Sequence, residues 1–131
     1  MSEQENMQVV QVLYDNFNAG NIAAVVEGLS ENVAWVLPSI PNIAFTGAKH
    51  GKDGVADFFS TMADQQEPQS FEVQGTVAQG DQVVAHGHYV WHVKTTGRSW
   101  EGDFSHHWTV EGGKITRFQE YTDSAAAMAA F

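Results

Sequence analysis

Three stretches of the chain place apolar residues at the i, i+3, i+4, i+7 spacing of a helix with one buried face. They are Val10, Leu13, Tyr14 and Phe17; Ile22, Val25, Val26 and Leu29; and Val55, Phe58, Phe59 and Met62. Ala19-Gly20 ends the first helix, since glycine takes the left-handed backbone of a helix C-terminus without strain. Asn21 is placed to cap the second, and Gly51-Lys52-Asp53-Gly54 opens the third. Beyond Pro68 the period falls to two, with Phe71, Val73, Gly75 and Val77 alternating with polar residues. Gln79-Gly80-Asp81 is a turn signal. A long strand then runs from about Val83 to Thr95, and Thr96-Gly97 turns it into a partner from Trp100 to Val110. Glu111-Gly112-Gly113 reads as a hairpin turn leading to a last strand, Ile115 to Thr122. A further short strand is expected from Val33 to Leu37. Asp123-Ser124 caps a short terminal helix, Ala125 to Ala130.

Helices first and antiparallel strands later define an α+β domain. The 131 residues suit a single domain, 1–131, with one hydrophobic core. There is no repeat and no linker. The Pro-containing stretch Leu37–Thr46 is the least regular and is expected to shape a pocket mouth.

Charge narrows the partners. Sixteen acids against six bases give a net charge of −10. The bases Lys49, Lys52, Lys94, Arg98, Lys114 and Arg117 are scattered, whereas nucleic-acid binding needs them gathered against phosphates. Neither nucleic acid nor an anionic membrane is an expected partner. No apolar run approaches the ~20 residues of a membrane span, and the acidic, polar start lacks the features of a secretory signal; a cytoplasmic location is expected. The absence of cysteine excludes disulfides, thiolate nucleophiles and cysteine-bound zinc. No nucleotide-binding, phosphate-loop, nucleophile-elbow or zinc-protease motif is present, and no cofactor is expected.

Several segments resemble the SnoaL-like and ketosteroid-isomerase-like branches of the nuclear transport factor two-like superfamily. Asn18-Ala19-Gly20-Asn21 is similar to the turn between their first two helices, and Glu31-Asn32-Val33-Ala34-Trp35 to the start of their first strand. Gly51 to Phe59 resembles their third-helix motif. Glu111-Gly112-Gly113-Lys114-Ile115 followed by Glu120-Tyr121-Thr122-Asp123 resembles their final hairpin and exit. The resemblance implies a cone: three N-terminal helices on a curved, mostly antiparallel sheet enclosing a pocket. The isomerase chemistry does not carry over. Its aspartate base matches Leu37, its oxyanion-hole tyrosine matches Leu13 with Tyr14 one residue off, and its second oxyanion donor matches His106. Tyr14 is therefore expected to pack in the core near the mouth.

The resemblance turns His106 inward, and strand parity then turns Trp100, Phe104 and Trp108 inward with it. Tyr89, Trp91 and Val93 follow on the neighbouring strand, and Phe118, Glu120 and Thr122 on the last. Trp35 and Leu37 join from the first strand, Phe58 and Met62 from the third helix. The expected ligand-lining set is thus Tyr14, Trp35, Leu37, Phe58, Met62, Tyr89, Trp91, Phe104, Trp108 and Phe118. His106 and Glu120 are the candidate acid–base pair, since imidazole exchanges protons near neutral pH. Glu120 is similar in place to the acidic residue of SnoaL-like polyketide cyclases. The function so implied is an acid–base isomerase, cyclase or hydrolase acting on a small apolar carbonyl compound. A non-catalytic carrier or sensor would use the same cavity, and an interaction domain would have a filled interior. His86, His88 and His92 offer a lower-ranked alternative, a metal site completed by His107 or Glu101. The same parity turns them outward, onto a sheet face where the resemblance implies a homodimer. A bulge near Gly87 would reopen that question, and His50 would stand near the pocket entrance.

Overall fold

The computed structural model describes residues 2–131. Helix α1 spans Glu3–Asn18 and starts on a full capping box: Ser2 Oγ accepts from the Glu5 N–H, and Glu5 accepts from the Ser2 N–H. These bonds satisfy two of the donors that a helix start leaves open. Its buried face carries Asn6, Val10, Leu13 and Tyr14. Gly20, at φ +75, turns the chain into α2, Ile22–Glu27, which Asn21 caps through the Ala24 N–H. The helix is shorter than its apolar spacing predicts. Leu29 fits the helical period, but it opens strand β1, Leu29–Val36, where it is fully buried.

A three-residue strand, β2 (Ala48–His50), precedes α3 (Gly51–Gln65). Four long strands follow: β3 (Gln66–Gln79), β4 (Gln82–Val93), β5 (Ser99–Glu111) and β6 (Lys114–Thr122). The short α4, Ser124–Ala130, closes the chain and is capped by Asp123. Strand order in the six-stranded sheet is β2-β1-β6-β5-β4-β3. Only β1 and β6 run parallel. β3 begins well before the expected Phe71 and absorbs Pro68 at a register shift. That shift tolerates proline, which cannot donate to a ladder.

The alternation on β4 and β5 is nearly strict. Val83, Ala85, Gly87, Tyr89, Trp91 and Val93 are buried on one strand, and Trp100, Gly102, Phe104, His106, Trp108 and Val110 on the other. The β4–β5 register runs unbroken from Gln82↔Thr109 to His92↔Ser99, so no bulge flips the strand at Gly87. The buried face is covered by the helices and by the loop from Leu37 to Gly47. Thr46 braces that loop, accepting from the Ile40 N–H and meeting the Ile40 and Ile43 carbonyls. The first turn of α1 is fastened to the β3–β4 turn at one residue: Glu3 accepts from the Gly80 N–H, and Asn6 Nδ2 donates to its carbonyl. This holds α1 over the sheet at the height that brings Tyr14 to β5. No helix of the described residues is long and apolar enough to cross a membrane.

Candidate functional site

Between the sheet, α1, α3, α4 and the Leu37–Thr46 loop lies a cavity of ≈ 80 Å³, measured as the space open to the centres of water molecules. One water needs about 10–15 Å³ on that measure, so the interior is hollow rather than solidly packed. Its walls are largely apolar: Leu13, Phe17, Trp35, Ile40, Ile43 and Phe45 among others. Its acid–base groups are Tyr14, Tyr89, His106 and Glu120, and no lysine or arginine lines it.

The register explains how the polar groups meet. Ala85, His106 and Glu120 form one row across β4, β5 and β6. Ala85 has the smallest side chain of the three and leaves room for α1 to approach. His106 Nε2 lies 2.8 Å from Glu120 Oε2. On its other side His106 Nδ1 lies 2.6 Å from the Tyr14 hydroxyl, and Trp108 Nε1 donates to that same hydroxyl at 3.1 Å. His106 is 4% exposed and Tyr14 3%.

The direction of the chain follows from its fixed end. Indole is a donor only, so Trp108 fills one acceptor site of the Tyr14 oxygen. Burial pushes the Tyr14 phenol above its ordinary value, outweighing the opposing Trp108 hydrogen bond. The phenol stays protonated and donates to His106 Nδ1. His106 then carries its own proton on Nε2 and donates to Glu120. Each group is satisfied only in this order, Trp108 to Tyr14 to His106 to Glu120. Tyr89 approaches the carboxylate from β4. Its phenol is also raised, first by burial and then by the Glu120 charge. The rings support the same geometry: Phe104 stacks on His106 at 4.3 Å and on Tyr89 at 4.7 Å, and Phe118 meets His106 edge-on at 4.9 Å.

Of the residues expected at the cavity, Tyr14, Trp35, Leu37, Phe58, Met62, Tyr89, Trp91, Trp108 and Phe118 line it together with His106 and Glu120. Phe104 does not. It is 3% exposed and lies behind the lining, between Tyr89 and His106, where it backs the imidazole rather than facing a ligand. Tyr14 is not merely core packing near the mouth; it is a hydrogen-bonding member of the site. Lining residues that the sequence reading passed over include Phe17, Phe71, Gln66 and Phe131. Phe71 lay in the alternating stretch and Phe17 on the helical face; Gln66, in the polar run Asp64-Gln65-Gln66-Glu67, carries no pattern at all. His50 ends β2, precedes α3 and does not line the cavity.

The outer face carries His86, His88 and His92. His88 Nδ1 meets Asp103 at 2.8 Å, with Glu101 at 3.6 Å from Nε2. The Asp103 hydrogen bond holds the His88 imidazole above its ordinary value. The metal alternative fails on geometry: among the described residues no three His, Asp or Glu side chains converge on a common point. Glu101 and Asp103 are occupied as partners of His88.

A model of the SnoaL-like domain matches residues 10–118. No curated protein matches the chain. Solved structures do. A nuclear transport factor 2-like protein from Burkholderia xenovorans LB400 is 29% identical with a TM-score of 0.88, covering 99% of this chain and 98% of that one. A candidate polyketide cyclase from Xanthomonas campestris pv. campestris is 25% identical with a TM-score of 0.85, over 98% and 97%. TerC, crystallised with polyporic acid, is 24% identical with a TM-score of 0.81, over 96% and 97%, a likeness of fold.

Proposed function

The chain belongs to the SnoaL-like domain family, and from that premise we propose that it is an acid–base enzyme acting on a small, neutral carbonyl compound held in the cavity. The observation that carries this reading is the hydrogen-bonded series Trp108–Tyr14–His106–Glu120, which ends in a carboxylate on a largely apolar wall. A polar chain of this length in a core has a cost unless every member is satisfied. Here it terminates at the one carboxylate of the cavity.

In this reading Glu120 removes a proton from the carbon next to the carbonyl. The C–H bonding pair moves into the carbon skeleton and the carbonyl pair onto its oxygen, giving an enolate. His106 keeps Glu120 Oε2 engaged through its Nε2–H, so the second oxygen faces the substrate. Tyr14 and Trp108 lock the imidazole in that tautomer, which makes His106 a positioning residue for the base. Return of the proton from Glu120 to a different carbon is an isomerisation. Attack of the enolate carbon on a second carbonyl carbon in the same molecule is a cyclisation: the C–O π pair moves onto that oxygen, which takes the proton back from Glu120. The apolar walls exclude water, so the enolate is not quenched at once. The relative described as a candidate polyketide cyclase supports the second outcome.

The test is isotope exchange. With 2-tetralone in deuterated buffer, the protein is expected to speed deuterium uptake at the carbons flanking the carbonyl, followed by proton NMR. Glu120→Gln should slow that uptake by about a hundredfold or more while calorimetric binding of the ketone persists. Binding without accelerated exchange in the native protein would make this a carrier and reject the enzyme.

A further inference from the structure

Gln66 opens β3, next to the C-terminus of α3, and is buried to 4% exposure on the cavity wall. Trp100 Nε1 donates to Gln66 Oε1 at 3.3 Å. Because the indole can only donate, the atom it meets has to be the amide oxygen; this settles which way the side chain is turned. The NH2 group is left over. It has no hydrogen-bond partner, and it is not sealed in either: the enclosed side-chain atoms without a partner are Asn6 Oδ1, Trp35 Nε1 and Gln65 Oε1. Gln66 is one of the residues that line the cavity. The Gln66 backbone is anchored as well, since its N–H bonds to the Met62 carbonyl at the end of α3.

The position of this amide relative to Glu120 is given by the aromatic residues between them. The Tyr89 ring lies 5.5 Å from the Trp100 ring, and its hydroxyl end faces Glu120. The Trp100 and Tyr89 rings therefore stand between the amide and the carboxylate. The wall between is apolar, so a ligand reaching both ends is itself apolar in the middle.

We infer that Gln66 is a ligand-binding residue whose amide N–H donates to an uncharged oxygen at the end of the ligand remote from Glu120. The inference rests on the reading of the cavity as a carbonyl site and extends it to a substrate class: flat, neutral molecules with a carbonyl at one end and an ether, hydroxyl or second carbonyl oxygen at the other. A buried donor on a buried wall selects strongly for such an oxygen, because a ligand lacking it leaves the donor unpaired. A carboxylate there has no cation to meet.

The experiment compares three ligands by calorimetry: 2-tetralone, 6-methoxy-2-tetralone and 6-ethyl-2-tetralone, the last two matched in shape and differing at one atom. The native protein is expected to bind the methoxy compound about fivefold to tenfold more tightly than the ethyl one, the worth of one hydrogen bond. Gln66→Met keeps the volume and should erase that preference. Gln66→Glu still offers Trp100 an oxygen, so it preserves the Trp100 contact if the methionine variant fails to fold, and it should also erase the preference. Equal binding of the two compounds by the native protein, or a preference that survives in a folded variant, would overturn the assignment. So would binding of 2-tetralone alone. Deuterium exchange is read separately: no exchange with the methoxy preference intact would reject the proton-transfer reading and leave Gln66 in place.

Discussion

Tyr14 carries two burdens at once. Its hydroxyl accepts from Trp108 and donates to His106, so Tyr14→Phe strands both partners inside the protein. Unfolding in urea should register a loss of about 2–4 kcal/mol, the cost of two enclosed polar atoms without partners. The phenols also set an alkaline limit. Tyr14 and Tyr89 are both held above their ordinary value of 10.0 by burial, so the folded protein keeps protons that the unfolded chain releases. The stabilising contribution is therefore full below about pH 10 and declines above it as unfolded tyrosine ionises. In Tyr14→Phe that alkaline decline should be shallower, by the share of one residue. Sequence parity, started from the inward His106 that the resemblance implies, reached Glu120 across the hairpin, on a strict alternation in β5 and a broken one in β6. It could not find the bond from Tyr14. On a helix one residue is a turn of ~100°, and whether Leu13 or Tyr14 meets the sheet depends on how α1 is fastened at Gly80, a contact between residues far apart in the chain. Gln66 was invisible for a related reason: its meaning lies entirely in Trp100.

Among the elements, β4 and β5 were the most legible and β1 and β2 the least. One face of β4 and β5 is sealed and the other is wet, so every second residue announces its side. β2 has three residues of exposed or partly exposed pattern and exists only by pairing with β1. α2 gives way early because its Gly28 caps it and Leu29 is claimed by the sheet. The close fit of β3 on β4 depends on Gly87. A Cβ there would run into the Glu72 carbonyl oxygen and come within 2.8 Å of Phe104 Cζ. Gly87→Ala should cost about 3 kcal/mol, the upper end of overpacking, measured by denaturant unfolding. Because Phe104 backs His106, it should also broaden or shift the His106 ring resonances in NMR, a change that a substitution at exposed Gly112 should not produce.

For the whole molecule, charge and cavity point the same way. A net charge of −10 surrounds a pocket whose wall holds a carboxylate and no cation. Anionic ligands are repelled at a distance and poorly received on arrival. Thus 2-naphthoate, close in size to 2-tetralone, should bind at least about tenfold more weakly at low ionic strength. Raising salt to about 0.5 M should narrow that gap by screening the long-range part, while the affinity for the neutral ketone stays nearly constant. Equal affinity at low salt would mean that a positive group reaches the pocket after all. One further property follows from where the indoles sit. The chain has four tryptophans, Trp35, Trp91, Trp100 and Trp108, and all four face the cavity. The protein's tryptophan emission therefore comes wholly from the walls of its own cavity, and its colour and brightness report what is inside without any added dye.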